Sequence, residues 1–207
     1  MARKNTGILN KSQRYEEIVK CGEDPKYFIK KYIKISHPTK GLVKFDLYPF
    51  QEDCLDAYLD HKKVIVNKSR QLGLSTVSAA YALWMALFHR ERNILVVATK
   101  LDVAKNFIRK VRANLAGLPD WLIIPKITGE SVKYLQFSNG SQIKATPTSQ
   151  DVGRSEALSL LIIDECVAGD SVITLRNKIT GEVKNVTIGQ TYELFEMTID
   201  DNNTPEQ

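Results

Sequence analysis

The sequence predicts an α/β fold in which a mostly parallel sheet is flanked by helices, followed by a small all-β piece. Three short runs, at residues 64–66, 93–98 and 158–163, are apolar apart from Asn93 and Ser159, as in strands that are buried on both faces of a parallel sheet. Helical stretches separate these runs. At residue 166 the pattern changes abruptly to hairpin-like runs, without a low-complexity linker, which indicates an appended module.

Periodicity and turn signals predict the remaining elements. Residues 101–115 are predicted to form an amphipathic helix, because Val103, Phe107 and Val111 recur on one side. Asn139-Gly140 is a hairpin turn signal between a strand at 131–137 and a second arm at 142–145. Further helices are predicted at 13–20, 25–35, 50–60 and 77–89. The predicted division is a basic helical region at 1–44, an incomplete α/β domain at 45–165 and the appended piece at 166–207.

Composition narrows the class of protein. The hydrophobic share of 43% and the charged share of 26% are typical of soluble globular proteins. No run of about 18 apolar residues is present, so the sequence predicts no membrane-spanning helix. Cys21, Cys54 and Cys166 have no paired spacing, which argues against a disulfide framework or a zinc site and favours a reducing cytoplasm.

Charge is unevenly distributed along the chain. The net charge is +5, but residues 166–207 hold three Lys/Arg and seven Asp/Glu and therefore carry −4, which leaves +9 for the first 165 residues. A basic body of this kind suits a polyanion such as DNA, although a solvated basic surface has the same composition. The acidic end is a second sign that a different module begins at residue 166.

A loop of small and polar residues follows the first apolar run and precedes a helix, which is the layout of a phosphate-binding loop. The usual pattern places a lysine directly before the Ser/Thr, where this chain has Leu74. Lys68, at the front of the loop, could supply the same charge from the other side. Ser75 or Thr76 would then ligate Mg²⁺. The alternative is an ordinary strand–helix turn. The predicted nucleotide-binding residues here are Lys68, Ser69, Arg70, Gln71, Leu72, Gly73, Leu74, Ser75 and Thr76.

An acidic pair ends the third apolar run. Asp164 is predicted to hold Mg²⁺ through water and Glu165 to polarise the attacking water. An acidic pair at a strand end can also be a helix N-cap. The loop and the acidic pair together, in this order and about ninety residues apart, are much more specific for a nucleotide site than either alone.

Residues 45–165 resemble the N-terminal ATPase domain of the large terminase subunit of T4-like tailed phages, a P-loop NTPase-like fold. The strings Ser-Arg-Gln-Leu-Gly-Leu-Ser-Thr and Leu-Leu-Ile-Ile-Asp-Glu-Cys carry the resemblance. It implies that Gln51 recognises adenine, that Arg70 is an arginine finger supplied in cis, and that Lys68 is the front lysine of a deviant loop. It also implies ATP, Mg²⁺, double-stranded DNA, portal and small terminase subunit as ligands and partners, in the host bacterial cytoplasm.

From Cys166 the chain resembles the beginning of an intein of the Hint type, with Cys followed by Gly-Asp-Ser-Val and a strand. The Cys166 thiolate is placed to attack the Glu165 carbonyl. The later intein motifs are absent from this sequence, so the resemblance implies the N-terminal fragment of a split intein and a complementary C-terminal intein/terminase fragment. A truncated chain would look the same, and T4-like terminases themselves often have Cys after Asp-Glu.

These resemblances imply an ATPase that becomes active only after trans-splicing at Glu165–Cys166, together with a single-turnover splicing reaction at Cys166. One rival is a helicase-like nucleic-acid ATPase without an intein, which requires residues after Glu165 that continue the sheet. A second rival is a DNA-binding module without enzymatic activity, which requires salt-sensitive DNA binding and no affinity for nucleotide.

Overall fold

In the computed structural model, two N-terminal helices begin at well-defined caps. The structure describes residues 9–37, 39, 41–68, 71–148, 157–164, 172–176, 181, 183–187 and 190. Helix α1 (Lys11–Glu23) opens with a capping box, in which Asn10 and Gln13 each accept the other's backbone N–H at 2.9 Å. Asp24 caps α2 (Pro25–Tyr32) by accepting from two backbone N–H groups, and the proline at the first helical position suits this start.

The core is built around one helix that is apolar on nearly all sides. Helix α3 (Pro49–Asp60) precedes it, and α4 (Leu74–Phe88) buries eleven of its fifteen residues. A helix of this composition must be surrounded by other elements, and α1, α2, α3 and α5 (Leu101–Ala116) all contact it. Trp84 on α4 donates a 2.7 Å hydrogen bond to the Cys21 carbonyl, which ties α1 to the core.

A five-stranded sheet lies against these helices. Its strands are β3 (Asn93–Ala98), β4 (Ile127–Ser131), β5 (Tyr134–Phe137), β6 (Gln142–Pro147) and β7 (Leu160–Asp164), in the order β4-β5-β6-β3-β7. Strand β3 is parallel to both β6 and β7, whereas β4–β5 and β5–β6 are antiparallel. The β5–β6 turn confirms the hairpin predicted at Asn139-Gly140, and Gly140 has the positive φ of 82° that favours glycine.

Two further hairpins within the described residues lie outside this sheet. Strands β1 (Lys34–His37) and β2 (Gly41–Lys44) pair antiparallel where the sequence predicted the end of a helix that runs to residue 35. Strands β8 (Val172–Arg176) and β9 (Val183–Thr187) pair antiparallel with each other, as the hairpin-like runs after residue 166 predicted. None of the helices among the described residues combines the length and apolar character that a membrane crossing requires.

Three predictions about the strands were wrong. The sheet is mixed, not mostly parallel, because β4–β5 and β5–β6 pair as antiparallel hairpins. The strand predicted at 131–137 is shorter than expected, since a turn separates Ser131, the last residue of β4, from Tyr134, the first residue of β5. Residues 64–66 are irregular, and Ile65 is 73% exposed. A β-branched run becomes a strand only when a neighbouring strand takes up its backbone hydrogen bonds, and no described strand pairs with this segment.

Candidate nucleotide site

The loop and the acidic strand meet in the structure. Ser75, in the first turn of α4, donates a 2.8 Å hydrogen bond from Oγ to Oδ1 of Asp164, the last residue of β7, across 89 positions of sequence. The Asp164 side chain is only 9% exposed, and the hydrogen bond offsets part of the cost of burying a carboxylate. A hydroxyl and a carboxylate oxygen therefore lie side by side, and oxygen ligands of this kind suit Mg²⁺.

The backbone around α4 leaves its N-terminus open to an anion. Gly73 is the N-cap residue with φ of 73°, and no side chain among the described residues caps the helix. Gln71, two residues earlier, also has a left-handed φ of 63°. Left-handed residues before an uncapped helix turn backbone N–H groups to a common point, as in anion-binding loops. The local backbone therefore fits a phosphate group.

Gln51 holds this loop through two hydrogen bonds of its side-chain amide. Its Nε2 donates to the Leu72 carbonyl at 2.8 Å, and its Oε1 accepts from the Tyr48 backbone N–H at 3.1 Å. The side chain is 2% exposed. A Cβ added to Gly73 would lie 2.9 Å from Gln51 Nε2, so a side chain at this position would force the Gln51 amide to shift. The two Gln51 hydrogen bonds leave one further N–H on Nε2 and one further lone pair on Oε1. Adenine recognition by Gln51, as the resemblance implies, stays a prediction.

The position that holds lysine in the usual loop faces inward. Leu74 is 5% exposed, and burial of this kind suits an apolar side chain. Lys68 is exposed at the end of the irregular segment that leads into the loop. Thr76 is half-buried, while Ser75 is the hydroxyl that reaches Asp164, so the structure favours Ser75 over Thr76 as the magnesium ligand.

The sequence analysis did not predict that α5 lines the candidate nucleotide site. A cavity of about 430 Å³ is lined by Ser75 and Asp164 on one side and by α5 residues that include Phe107, Arg109 and Lys110 on the other. Helix α5 starts directly after the C-terminal end of β3, and ligands of parallel α/β sheets collect at that edge. The position of this helix in the sequence was the signal that could have singled out its cationic face.

Tyr58 on α3 lies near the same carboxylate. Burial is the main reason that the pKa of the Tyr58 phenol is raised, and the nearby Cys54 and Asp164 raise it further. A 3.2 Å hydrogen bond between the Tyr58 hydroxyl and Ser78 Oγ lowers the pKa of Tyr58, but the net direction is upward. Tyr58 therefore stays neutral beside Asp164 and adds no negative charge to the site.

Four predicted site residues lie outside the residues that the structure describes: Ser69, Arg70, Glu165 and Cys166. Among the described residues, no group of three or more His, Cys, Asp or Glu side chains is arranged to hold a metal ion. A magnesium ion at Ser75 and Asp164 would therefore complete its coordination with phosphate oxygens and water, as this ion commonly does.

Comparison with known proteins identifies the family. The family model described as terminase large subunit, T4likevirus-type, N-terminal, matches residues 65–173. The crystal structure of the HK97 bacteriophage large terminase is similar to this chain, with a TM-score of 0.54 and 19% sequence identity, over 69% of this chain. That similarity shows a shared fold, and this chain spans 30% of the length of the HK97 protein. The chain therefore belongs to the T4-like family of terminase large subunits, in their N-terminal region.

Proposed function

We propose that this chain is the front part of an ATP-driven motor that packages double-stranded DNA into phage procapsids. The observation that carries the proposal is the 2.8 Å contact between Ser75 and Asp164, which joins the phosphate loop to the acidic strand at one end of the sheet. Family membership supports the packaging role. The net charge of +9 on residues 1–165 supports contact with DNA. Portal and small terminase subunit are the proposed partners, and the host bacterial cytoplasm is the proposed location.

The proposed nucleotide chemistry assigns each residue a separate task. Backbone N–H groups at the start of α4 hold the phosphates, and Ser75 and Asp164 hold Mg²⁺. Bound Mg²⁺ would neutralise charge on the phosphates. Glu165 polarises the attacking water. Lys68 and Arg70 supply the positive charge that stabilises the transferring phosphoryl group.

We further propose that residues 166–207 are the N-terminal fragment of a split intein. Cys166 Sγ would attack the Glu165 carbonyl carbon; the new C–S bond forms, the Glu165–Cys166 C–N bond breaks, and the Cys166 amine is released. The β8–β9 hairpin supports a distinct module, because within the described residues it forms a sheet of its own and is not paired with the five-stranded sheet. The family match, in contrast, continues to residue 173, which favours Cys166 as native terminase sequence.

Peptide mass spectrometry on protein from its native expression context separates these alternatives. Trypsin cleaves after Arg154 and releases a peptide that begins Ser155-Glu156-Ala157. If splicing occurs, this peptide continues from Glu165 into sequence that this chain does not encode. If Glu165 is always followed by Cys166 while the complementary fragment is present, the splicing proposal fails, and residues 166–207 are then either an inactive intein fragment or part of the ATPase domain.

The nucleotide proposal has its own test in the spliced protein. We expect Mg²⁺-dependent ATP hydrolysis that is lost in Glu165→Gln, and negligible hydrolysis by the unspliced chain alone. Lys68→Ala is expected to abolish nucleotide binding, measured by isothermal titration calorimetry. Lys62→Ala, an exposed lysine of the same irregular segment, is the matched control. Unchanged binding in Lys68→Ala would remove Lys68 from the site, and robust hydrolysis by the unspliced chain would contradict the dependence on splicing.

A further inference from the structure

Helix α5 carries four cationic side chains, and one of them differs from the rest. Lys105 and Arg112 form ion pairs with carboxylates, and Arg109 donates a 2.7 Å hydrogen bond to a side-chain amide oxygen. Among the described residues, no side chain forms an ion pair or a hydrogen bond with the ammonium group of Lys110. Lys110 is therefore the α5 cation whose charge the described part of the chain leaves unneutralised.

Lys110 lies on the buried side of this amphipathic helix. Phe107 and Asn114, its neighbours three residues before and four residues after on the same face, are 2% and 3% exposed, and Lys110 itself is half-buried. Lysine rarely occupies such a position unless an anion neutralises it, because burial of an unpaired charge is costly. The position of Lys110 therefore indicates an anionic ligand.

Lys110 lines the same cavity as the proposed magnesium ligands Ser75 and Asp164. The cavity volume of about 430 Å³ falls within the range of roughly 300–1,000 Å³ that is usual for small-molecule sites. Lys110 and Asp164 share this cavity, yet they form no ion pair with each other. The space between an ammonium group and a carboxylate that holds Mg²⁺ suits a phosphate group, because phosphate oxygens bind both cations.

We infer that Lys110 binds the terminal phosphoryl group of a nucleoside triphosphate and thereby distinguishes the triphosphate from the diphosphate. The inference rests on the proposed function, because it places Mg²⁺ on Ser75 and Asp164. Magnesium in such sites bridges the last two phosphates of the nucleotide. The terminal phosphoryl group therefore lies at the metal, in the cavity that Lys110 lines. The three donors of a lysine ammonium group suit its oxygens, and a diphosphate offers no terminal group at that position.

DNA is the other anion that a basic chain of this family could meet. A duplex is too bulky to enter a cavity of about 430 Å³, so its phosphates would contact the exposed Arg109 before the half-buried Lys110. A free phosphate chain enters such a cavity, and its end carries the highest density of negative charge. The observations therefore favour the nucleotide as the ligand of Lys110.

The test measures the affinities of the full chain for Mg²⁺-ATP and Mg²⁺-ADP by isothermal titration calorimetry. We expect Lys110→Gln to bind ATP about tenfold more weakly than the wild type, as loss of a hydrogen bond to a charged group implies, and to change ADP affinity less than about twofold. Lys105→Gln is the matched control, because Lys105 is a half-buried lysine of the same helix that does not line the cavity. Circular dichroism verifies that the variants are folded.

Two further measurements separate a phosphoryl contact from a structural role. Lys110→Arg keeps the positive charge and is expected to keep the preference for ATP over ADP. Binding of a fluorescein-labelled DNA duplex, followed by fluorescence anisotropy, should be the same in Lys110→Gln and Lys105→Gln. Weaker duplex binding by Lys110→Gln alone, with its ATP affinity unchanged, would make DNA the ligand of Lys110 and overturn the inference.

The outcomes distinguish this inference from the proposed function. ATP binding that Ser75→Ala weakens and Lys110→Gln leaves unchanged would refute the role of Lys110 alone. Equal losses of ATP and ADP affinity in Lys110→Gln, or the same loss of ATP affinity in Lys105→Gln, would show a general effect of charge and would also refute it. Absence of ATP binding by the wild-type chain would refute the nucleotide site together with the role of Lys110.

Discussion

Strands β3 and β7 are neighbours with nearly the same composition, yet their surroundings differ. They pair in parallel from Ile94 opposite Leu160 to Ala98 opposite Asp164. On β3, every residue from Ile94 to Ala98 is at most 8% exposed. On β7, alternate residues are almost half exposed. The difference shows that an apolar run indicates only that a strand can be buried. The elements that pack around the strand decide whether it is buried.

The largest expected effect is on the free energy of unfolding, when the same isoleucine side-chain atoms are removed from each of the two strands. Ile94→Ala on β3 should lower the free energy of unfolding by about 2–5 kcal/mol, because it leaves a cavity in the core. Ile163→Ala on β7 should cost under about 1 kcal/mol, since much of that side chain already contacts water. Urea unfolding followed by circular dichroism measures both. Equal losses would show that β7 is as enclosed as β3.

A comparison of two glycines tests the loop that precedes α4 at the candidate nucleotide site. Gly73 and Gly41 have similar positive φ values of 73° and 69°, but a Cβ at Gly73 would meet Gln51 Nε2 while a Cβ at Gly41 would meet nothing within 4 Å. Both alanine variants carry backbone strain, of about 1–2 kcal/mol. Gly73→Ala should be more destabilising than Gly41→Ala in thermal unfolding.

The extra loss of stability in Gly73→Ala should be smaller when Gln51→Ala is combined with it, because the shorter side chain at residue 51 removes the clash. A double-mutant cycle measures this coupling. Additive effects of the two substitutions would show that Gln51 does not constrain the loop.

The smallest effect concerns the acid stability of the helices packed on α4. Burial by itself raises the pKa of Glu17, but hydrogen bonds from Lys31, Tyr32 and Tyr27 outweigh it and hold the pKa below its ordinary value. A lowered folded pKa means that Glu17 stabilises the fold above its unfolded pKa, and that this contribution disappears as the pH falls through the folded value.

We therefore expect Glu17→Gln to lose stability near neutral pH and to show a flatter acid limb than the wild type. Unfolding free energies measured by urea titration from about pH 7 to about pH 3 give the comparison. Parallel acid limbs in the two proteins would show that Glu17 does not titrate differently on folding.

Much of the fold followed from local signals. The predicted helix at 101–115 is α5, and the run at 93–98 is β3, because each carries a long, clear pattern. The sequence also predicted that Ser75 or Thr76 and Asp164 belong to one magnesium site; that role stays a prediction, and the structure places Ser75 Oγ 2.8 Å from Asp164 Oδ1. The β1–β2 hairpin was missed, because the helical pattern of α2 continues in sequence past Tyr32, where the helix ends.

Local pattern determined which segments can form helices, which runs can be buried, and which motifs are candidates for a nucleotide site. Tertiary structure decided the rest: the mixed pairing of the sheet, the irregular course of residues 64–66, the inward orientation of Leu74, and the bond from Gln51 to the Leu72 carbonyl. The physical reason is that strand hydrogen bonds and side-chain clamps depend on partners far along the chain. The periodicity of a segment indicates the secondary structure that the segment prefers. It does not indicate which distant residues take up the hydrogen bonds of that segment.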